Sequence, residues 1–118
     1  MSDKKINWYK IAESISGIGF QTNNMCVVDV DNRKITLGKF NDSLFAFAHK
    51  CPHASGIMAD GFIDATGSAV CPLHRYKFNL QNGRNTTGEG YYLKTYPTKQ
   101  TEEGIFIGIE EKGLFGWL

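Results

Sequence analysis

Short strand-like runs separated by turn residues recur along this chain at spacings of about ten residues, and they constrain the fold more than any other feature. No helical period of apolar residues is visible. Glycine accounts for 13 of the 118 residues, which is enough for many tight turns. We therefore expect a single all-β domain of small antiparallel sheets over residues 1–118.

The strongest strand candidate is Met25–Val30, which the turn residues Asp31-Asn32 follow at once. A second turn is predicted at Asn41-Asp42-Ser43, and a hairpin closes at Gln81-Asn82-Gly83, since Asn-Gly accepts positive φ at low cost. Ser14–Asn24 is the least readable stretch, and a short helix conceivable there has no capping residues to support it. The predicted strands are Trp8–Ala12, Met25–Val30, Lys34–Phe40, Leu44–His49, Ala69–Cys71, Tyr76–Leu80 and Ile105–Ile109.

Composition and charge exclude several classes of protein. Hydrophobic residues make up 42% and charged residues 21%, so the chain is not expected to be disordered. The net charge of +1 provides no basic surface for nucleic acid or an acidic membrane. The longest uncharged run, Ser14–Val28, is too short and too polar to span a bilayer. No signal-peptide pattern is visible, so we expect a cytoplasmic protein.

The three cysteines and three histidines carry the functional information. An odd, small number of cysteines without an export signal argues for thiolate chemistry rather than a disulfide framework. Cys51 and His53 are followed, after seventeen residues, by Cys71 and His74. If the two loops face each other, the four side chains suit either two irons, one with both thiolates and one with both imidazoles, or one tetrahedral zinc. The spacing alone does not separate the two sites.

Two longer segments around these residues resemble the cluster loops of the Rieske [2Fe–2S] family. Residues 51–61 are similar to the family's first loop and residues 71–83 to its second, including the aromatic side chain of Phe78. Residues 93–97 and 105–109 resemble the family's closing strands. The likeness is closest to the small soluble Rieske-type ferredoxins.

This resemblance implies one [2Fe–2S] cluster per chain. Cys51 and Cys71 would bind the inner iron, and His53 and His74 the outer, solvent-facing iron. It also implies that two hairpin loops form a cluster-binding subdomain, about residues 49–82, on a larger base of antiparallel strands.

Four positions indicate where this chain's reduction potential is expected to lie within the range of the family. High-potential members of the family that this chain resembles share a disulfide between the two loops. At the two positions of that disulfide this chain has Gly56 and Leu73. High-potential members also have a serine and a tyrosine that donate hydrogen bonds to the cluster, where this chain has Tyr76 and Phe78. Fewer donors stabilise the reduced state less, so we expect a potential of roughly −150 to +50 mV.

Other residues depart from the family pattern or lie outside it. Arg75 follows the second histidine, where the family usually has glycine. Thr86–Gly90 lacks the proline of the usual covering loop, so weak shielding of the cluster is expected there. We expect His49 to be a structural histidine with its polar atoms satisfied, and Cys26 to be a buried, unreactive thiol.

The function implied by the resemblance is that of a freestanding electron carrier, not an enzyme. It would take single electrons from a flavin-containing NAD(P)H reductase and deliver them to a terminal oxygenase. An apolar ring of Pro52, Met58, Pro72 and Leu73 would form the docking face. The apolar segment Leu114–Leu118 is expected to pack on the base.

Two alternatives remain open. The chain could be the small subunit of a larger oxidoreductase such as an NAD(P)H-dependent nitrite reductase, many of which resemble this fold without the ligands. It could also be a zinc-stabilised binding module with no redox role.

Overall fold

The structure is a computed structural model that describes residues 5–111, and ten strands occupy much of that range. Two single-turn 3-10 helices, Ile15–Gly17 and Met58–Asp60, lie between strands. The strands are β1 Ile6–Ala12, β2 Met25–Val30, β3 Arg33–Phe40, β4 Ser43–Ala48, β5 Phe62–Ile63, β6 Ser68–Val70, β7 Lys77–Asn79, β8 Thr95–Tyr96, β9 Thr98–Thr101 and β10 Gly104–Glu110.

The strands form three small antiparallel sheets, which confirms the expected all-β fold. The first sheet has the order β1-β10-β9, the second β2-β3-β4-β8 and the third β5-β6-β7. Two-residue turns join β2 to β3 and β3 to β4. Their central residues, Asp31-Asn32 and Asn41-Asp42, all have positive φ, as hairpins of this length require.

Several strands differ from the prediction in ways that have physical causes. Ala69–Cys71 was predicted as a strand, but β6 ends at Val70 because Cys71 already belongs to a loop. The strand β9 was not predicted, since Thr98–Thr101 is polar and mostly exposed and is held by pairing with β10. The short helix conceivable in Ser14–Asn24 is a single 3-10 turn.

Two hydrophobic cores lie on opposite faces of the second sheet, and β4 contributes to both. Alternate side chains of a strand point to opposite faces. Phe47 therefore packs into one core, and Leu44 and Ala46 into the other. The site core contains Met25, Phe47, Cys51, Met58, Ala59, Ala69, Cys71, Phe78, Leu80 and Leu93. The base core contains Cys26, Val30, Ile35, Leu37, Leu44, Ala46, Ile105, Ile107 and Ile109.

Two further expectations concern membrane crossing and the C-terminal segment. Within residues 5–111, no helix is long and apolar enough to cross a bilayer. The predicted packing of Leu114–Leu118 falls outside the residues that the structure describes.

Candidate metal centre

The first ligand loop is the tip of a small hairpin. Lys50 and Ile57 form an antiparallel bridge at its base. The Cys51 N–H donates to the Gly56 carbonyl at 2.7 Å, and the Ser55 N–H donates back to the Cys51 carbonyl at 3.0 Å. These two hydrogen bonds hold the cysteine at the start of the tip.

The second loop, between β6 and β7, repeats this arrangement. The Cys71 N–H donates to the Tyr76 carbonyl at 2.9 Å, and the Arg75 N–H donates to the Cys71 carbonyl at 3.0 Å. Ser55 and Arg75 hold equivalent places, and each has φ of about +59°. The expectation of two hairpin loops, each carrying one cysteine and one histidine, is therefore confirmed in its geometry.

The two cysteines lie side by side in the site core. Cys51 is 3% exposed and Cys71 is 2% exposed, and the two side chains are close enough for Cys51 to affect the pKa of Cys71. Burial raises the pKa of the Cys71 thiol, and Cys51 raises it further. The backbone N–H groups of Leu73 and His74 lie near the Cys71 sulfur and oppose this rise in its pKa. The same N–H groups would stabilise a thiolate ligand at this position.

The two histidines meet on the outer side of the site. The His53 Nδ1 and the His74 Nδ1 are 3.2 Å apart, and the ring centroids are 4.9 Å apart at an angle of 60°. Each ring therefore offers Nδ1 to the same small space. His74 is exposed, whereas His53 is half-buried.

The donors converge as two pairs and not as one set of four. Among residues 5–111, no three or more His, Cys, Asp or Glu side chains are grouped so that they could hold one metal ion. One buried sulfur pair and one outer nitrogen pair suit two irons with separate ligand pairs. A single tetrahedral zinc needs all four donors around one point, so this arrangement fits it less well.

Gly56 keeps the two loops close together. A Cβ at this position would lie 2.9 Å from the Cys71 Sγ and 3.0 Å from the Leu73 Cγ. Residue 56 therefore has room only for hydrogen. The Leu73 side chain lies over Gly56, so these two positions, at which the resemblance implies a disulfide in high-potential proteins, face each other across the loops.

Tyr91 is a site residue that the sequence analysis missed. Its ring centroid lies 5.1 Å from that of His53 and 5.8 Å from that of Tyr76. No motif marks Tyr91, because its place depends on how the loop Thr86–Gly90 returns to the site. The loop Thr86–Gly90 lacks a proline, and weak shielding of the metal site was expected for that reason. The Tyr91 ring supplies part of this shielding.

The loop before Tyr91 is organised by one side chain. The Asn85 Nδ2 donates to the Lys77 carbonyl at 3.0 Å, and the Asn85 Oδ1 accepts from the Gly90 N–H at 3.0 Å. Glu89, in the same loop, accepts a hydrogen bond from the Thr87 hydroxyl, which is the main cause of the lowered pKa of Glu89. The nearby His53 lowers the pKa of this carboxyl further.

Two expectations about neighbouring residues are wrong and one is confirmed. Met58 was expected on the docking face, but it is fully buried, because it begins a 3-10 helix that turns into the site core. His49 was expected to have its polar atoms satisfied, but its buried Nδ1 has no hydrogen-bond partner in the described part of the chain. Cys26 is buried, and burial raises the pKa of its thiol, as expected of an unreactive cysteine.

Comparisons with known proteins agree with this geometry. A family model described as Rieske [2Fe-2S] domain matches residues 7–97. The chain is 28% identical over 79 residues to the 3-phenylpropionate/cinnamic acid dioxygenase ferredoxin subunit of Photorhabdus laumondii, which covers 66% of this chain and 75% of that protein.

Solved structures show the same fold. A chain in the complex of reduced oxygenase and oxidised ferredoxin in carbazole 1,9a-dioxygenase superposes with a TM-score of 0.73 at 20% identity, over 89% of this chain and 95% of that chain. The putative NADH-dependent nitrite reductase small subunit of Mycobacterium tuberculosis superposes with a TM-score of 0.75 at 20% identity, over 89% and 96%. At these identities the likeness concerns the fold alone.

Proposed function

Because this chain belongs to the Rieske [2Fe–2S] domain family, we propose that it holds one [2Fe–2S] cluster and works as a Rieske-type ferredoxin that carries single electrons. The observation that carries the proposal is the separation of the donors into a buried thiol pair and an outer imidazole pair. In this role the chain is an electron carrier, and we assign it no catalytic residue.

Each of the four ligands has a distinct part in this proposal. Cys51 and Cys71 would hold the inner iron within the site core, where little water reaches the sulfurs. His53 and His74 would hold the outer iron through their Nδ1 atoms, which face each other. When bound, the cluster supplies a one-electron couple whose potential is raised because neutral imidazoles replace two thiolates.

We propose that the electron donor is a flavin-containing NAD(P)H reductase and that the acceptor is a terminal oxygenase. The relative from Photorhabdus laumondii is described as a ferredoxin subunit of a dioxygenase, and a structural neighbour is a complex of oxygenase and ferredoxin. Pro52, Pro72, Leu73 and His74 are exposed around the site. A small, weakly charged face of this kind suits a contact that must form and break quickly.

We propose the cytoplasm as its compartment, since Cys26, Cys51 and Cys71 form no disulfide and the proposed donor uses NAD(P)H.

A second candidate is the small subunit of a nitrite reductase. It is favoured by the structural likeness to the Mycobacterium tuberculosis protein. The two roles differ in assembly. A ferredoxin purifies alone and exchanges electrons with a separate oxygenase, whereas a subunit co-purifies with a large flavoprotein or haem chain.

The cofactor is tested by anaerobic purification followed by iron and sulfide analysis, visible absorption and EPR of the reduced protein. We expect about two irons and two acid-labile sulfides per chain and a Rieske-type EPR signal. His53→Ala and Cys71→Ala should each abolish the signal. His49→Ala is the matched control, and we expect it to keep the signal. A colourless protein that contains one zinc would contradict the proposal.

A further inference from the structure

The aromatic rings at the metal site are distributed unevenly between the two histidines. His53 contacts Tyr76 at a centroid distance of 4.3 Å and an angle of 31°, and Tyr91 at 5.1 Å and 57°. The two tyrosine rings are 5.8 Å apart and inclined at 30° to each other. The three rings are thus in mutual contact, within the distances at which aromatic pairs attract.

His74 has a more open environment. Its ring meets that of His53 edge-on and lies 6.2 Å from that of Tyr76. Its neighbour Leu73 is 53% exposed, and His74 itself is exposed, whereas His53 is half-buried. The outer nitrogen pair therefore has one covered side and one open side.

The position of Tyr91 is set by the loop before it. Asn85 joins this loop to the second ligand hairpin, since its amide donates to the Lys77 carbonyl while its oxygen accepts from the N–H groups of Glu89 and Gly90. Gly90 has φ of +84°, a conformation that turns the chain back toward the site. The ring of Tyr91 is thereby held against His53.

We propose that Tyr76 and Tyr91 form a two-ring wall that fixes the orientation of the His53 imidazole and keeps water from that side of the metal site, so that His74 is the ligand facing solvent and the redox partner. The inference deepens the proposed function and rests on it. The wall acts through the faces and edges of the rings, and the tyrosine hydroxyls are not needed for it.

The chain offers a matched pair of positions for a test. Tyr91 contacts His53 and is 39% exposed, whereas the adjacent Tyr92 is 64% exposed. The cluster-loaded wild type, Tyr91→Ala, Tyr91→Phe and Tyr92→Ala are compared for the rate at which a ferrous-iron chelator bleaches the visible absorption. We expect Tyr91→Ala to lose its cluster about tenfold faster, and Tyr91→Phe and Tyr92→Ala to stay within about twofold of wild type.

Two spectroscopic readouts separate this role from general stability. The EPR g-values report the orientation of the imidazoles on the iron, and pulsed EPR in deuterated water reports the deuterons close to the cluster. Tyr91→Ala should shift the g-values and increase the deuteron coupling, while its melting temperature stays near that of Tyr92→Ala. Tyr91→Phe should restore both signals.

The outcomes distinguish this inference from the proposed function. A wild-type protein without iron and sulfide would overturn the proposed function. A loaded Tyr91→Ala with wild-type bleaching, g-values and deuteron coupling would overturn the wall and leave the function standing. If Tyr91→Ala does not load, Tyr91→Leu serves in its place. Bleaching of Tyr91→Leu as slow as that of Tyr91→Phe would overturn the role of the ring.

Discussion

Ser55 and Arg75 occupy the left-handed region of backbone conformation at equivalent places in the two ligand loops. A side chain in this region costs roughly 1–2 kcal/mol, because Cβ approaches the following carbonyl oxygen. In both loops this residue forms part of the turn that begins at the cysteine, and both cysteines are buried in the site core. The family's usual glycine at position 75 would avoid it, so Arg75 stores backbone strain beside a proposed ligand.

Substituting Arg75 tests the strain directly. Arg75→Gly and Arg75→Ala remove the same charge, but only glycine relieves the strained φ. We expect the glycine variant to be more stable than the alanine variant by about 1 kcal/mol, which corresponds to about 4 °C in melting temperature for a domain of this size. Differential scanning calorimetry of the cluster-loaded proteins at one scan rate measures it. A glycine variant that melts at or below the alanine variant would show that the loop stores no such strain.

At the scale of single elements, Gly83 shows how a predicted turn acquires a further constraint. The sequence predicts that Asn82-Gly83 closes a hairpin with positive φ, and Gly83 does have φ of +76°. In the fold, the Leu93 N–H also donates to the Gly83 carbonyl at 2.9 Å. A Cβ on Gly83 would lie 1.9 Å from the Leu93 carbonyl oxygen. The turn is therefore pressed against the segment that leads to β8.

Gly83→Ala should destabilise the protein more than a positive φ alone explains. Gly88 provides the matched control, since it has φ of +90° and no atom within 4 Å of a built Cβ. We expect a loss of about 1 kcal/mol in the free energy of unfolding for Gly88→Ala and about 3 kcal/mol for Gly83→Ala. Chemical denaturation of the two variants beside wild type measures the difference. Equal losses would mean that the Leu93 backbone moves aside freely.

The elements also show what the sequence could and could not predict. Alternation and turn residues located β2, β3 and β4 to within one or two residues, because local preferences and burial agree there. The four cysteine and histidine ligand candidates were found because their spacing is local to two loops. Tyr91 was missed because its contact with His53 joins distant parts of the chain. Met58 was misplaced because apolar character alone does not say which way a side chain turns.

At the scale of the whole molecule, the separation of the site core from the base core gives the proposed cofactor a local structural role. Cys51 and Cys71 belong to the site core, so their bonds to iron would tie together the two loops on which that core depends. The base core contains neither of them. Ligands that bind only the native state add to the stability of the parts that they hold. This supports the proposal that residues 49–82 form a subdomain within a single domain.

Hydrogen exchange of the cluster-loaded and cluster-free proteins tests that proposal. Removing the cluster should increase amide exchange within residues 49–82 by about tenfold or more, because the loops then open without global unfolding. The hairpin of β2 and β3, in which every residue of β2 pairs with β3, serves as the internal reference and should change much less. A uniform increase over both regions would show that the molecule unfolds as one cooperative unit, whereas unchanged exchange in residues 49–82 would show that the protein alone holds the ligand loops.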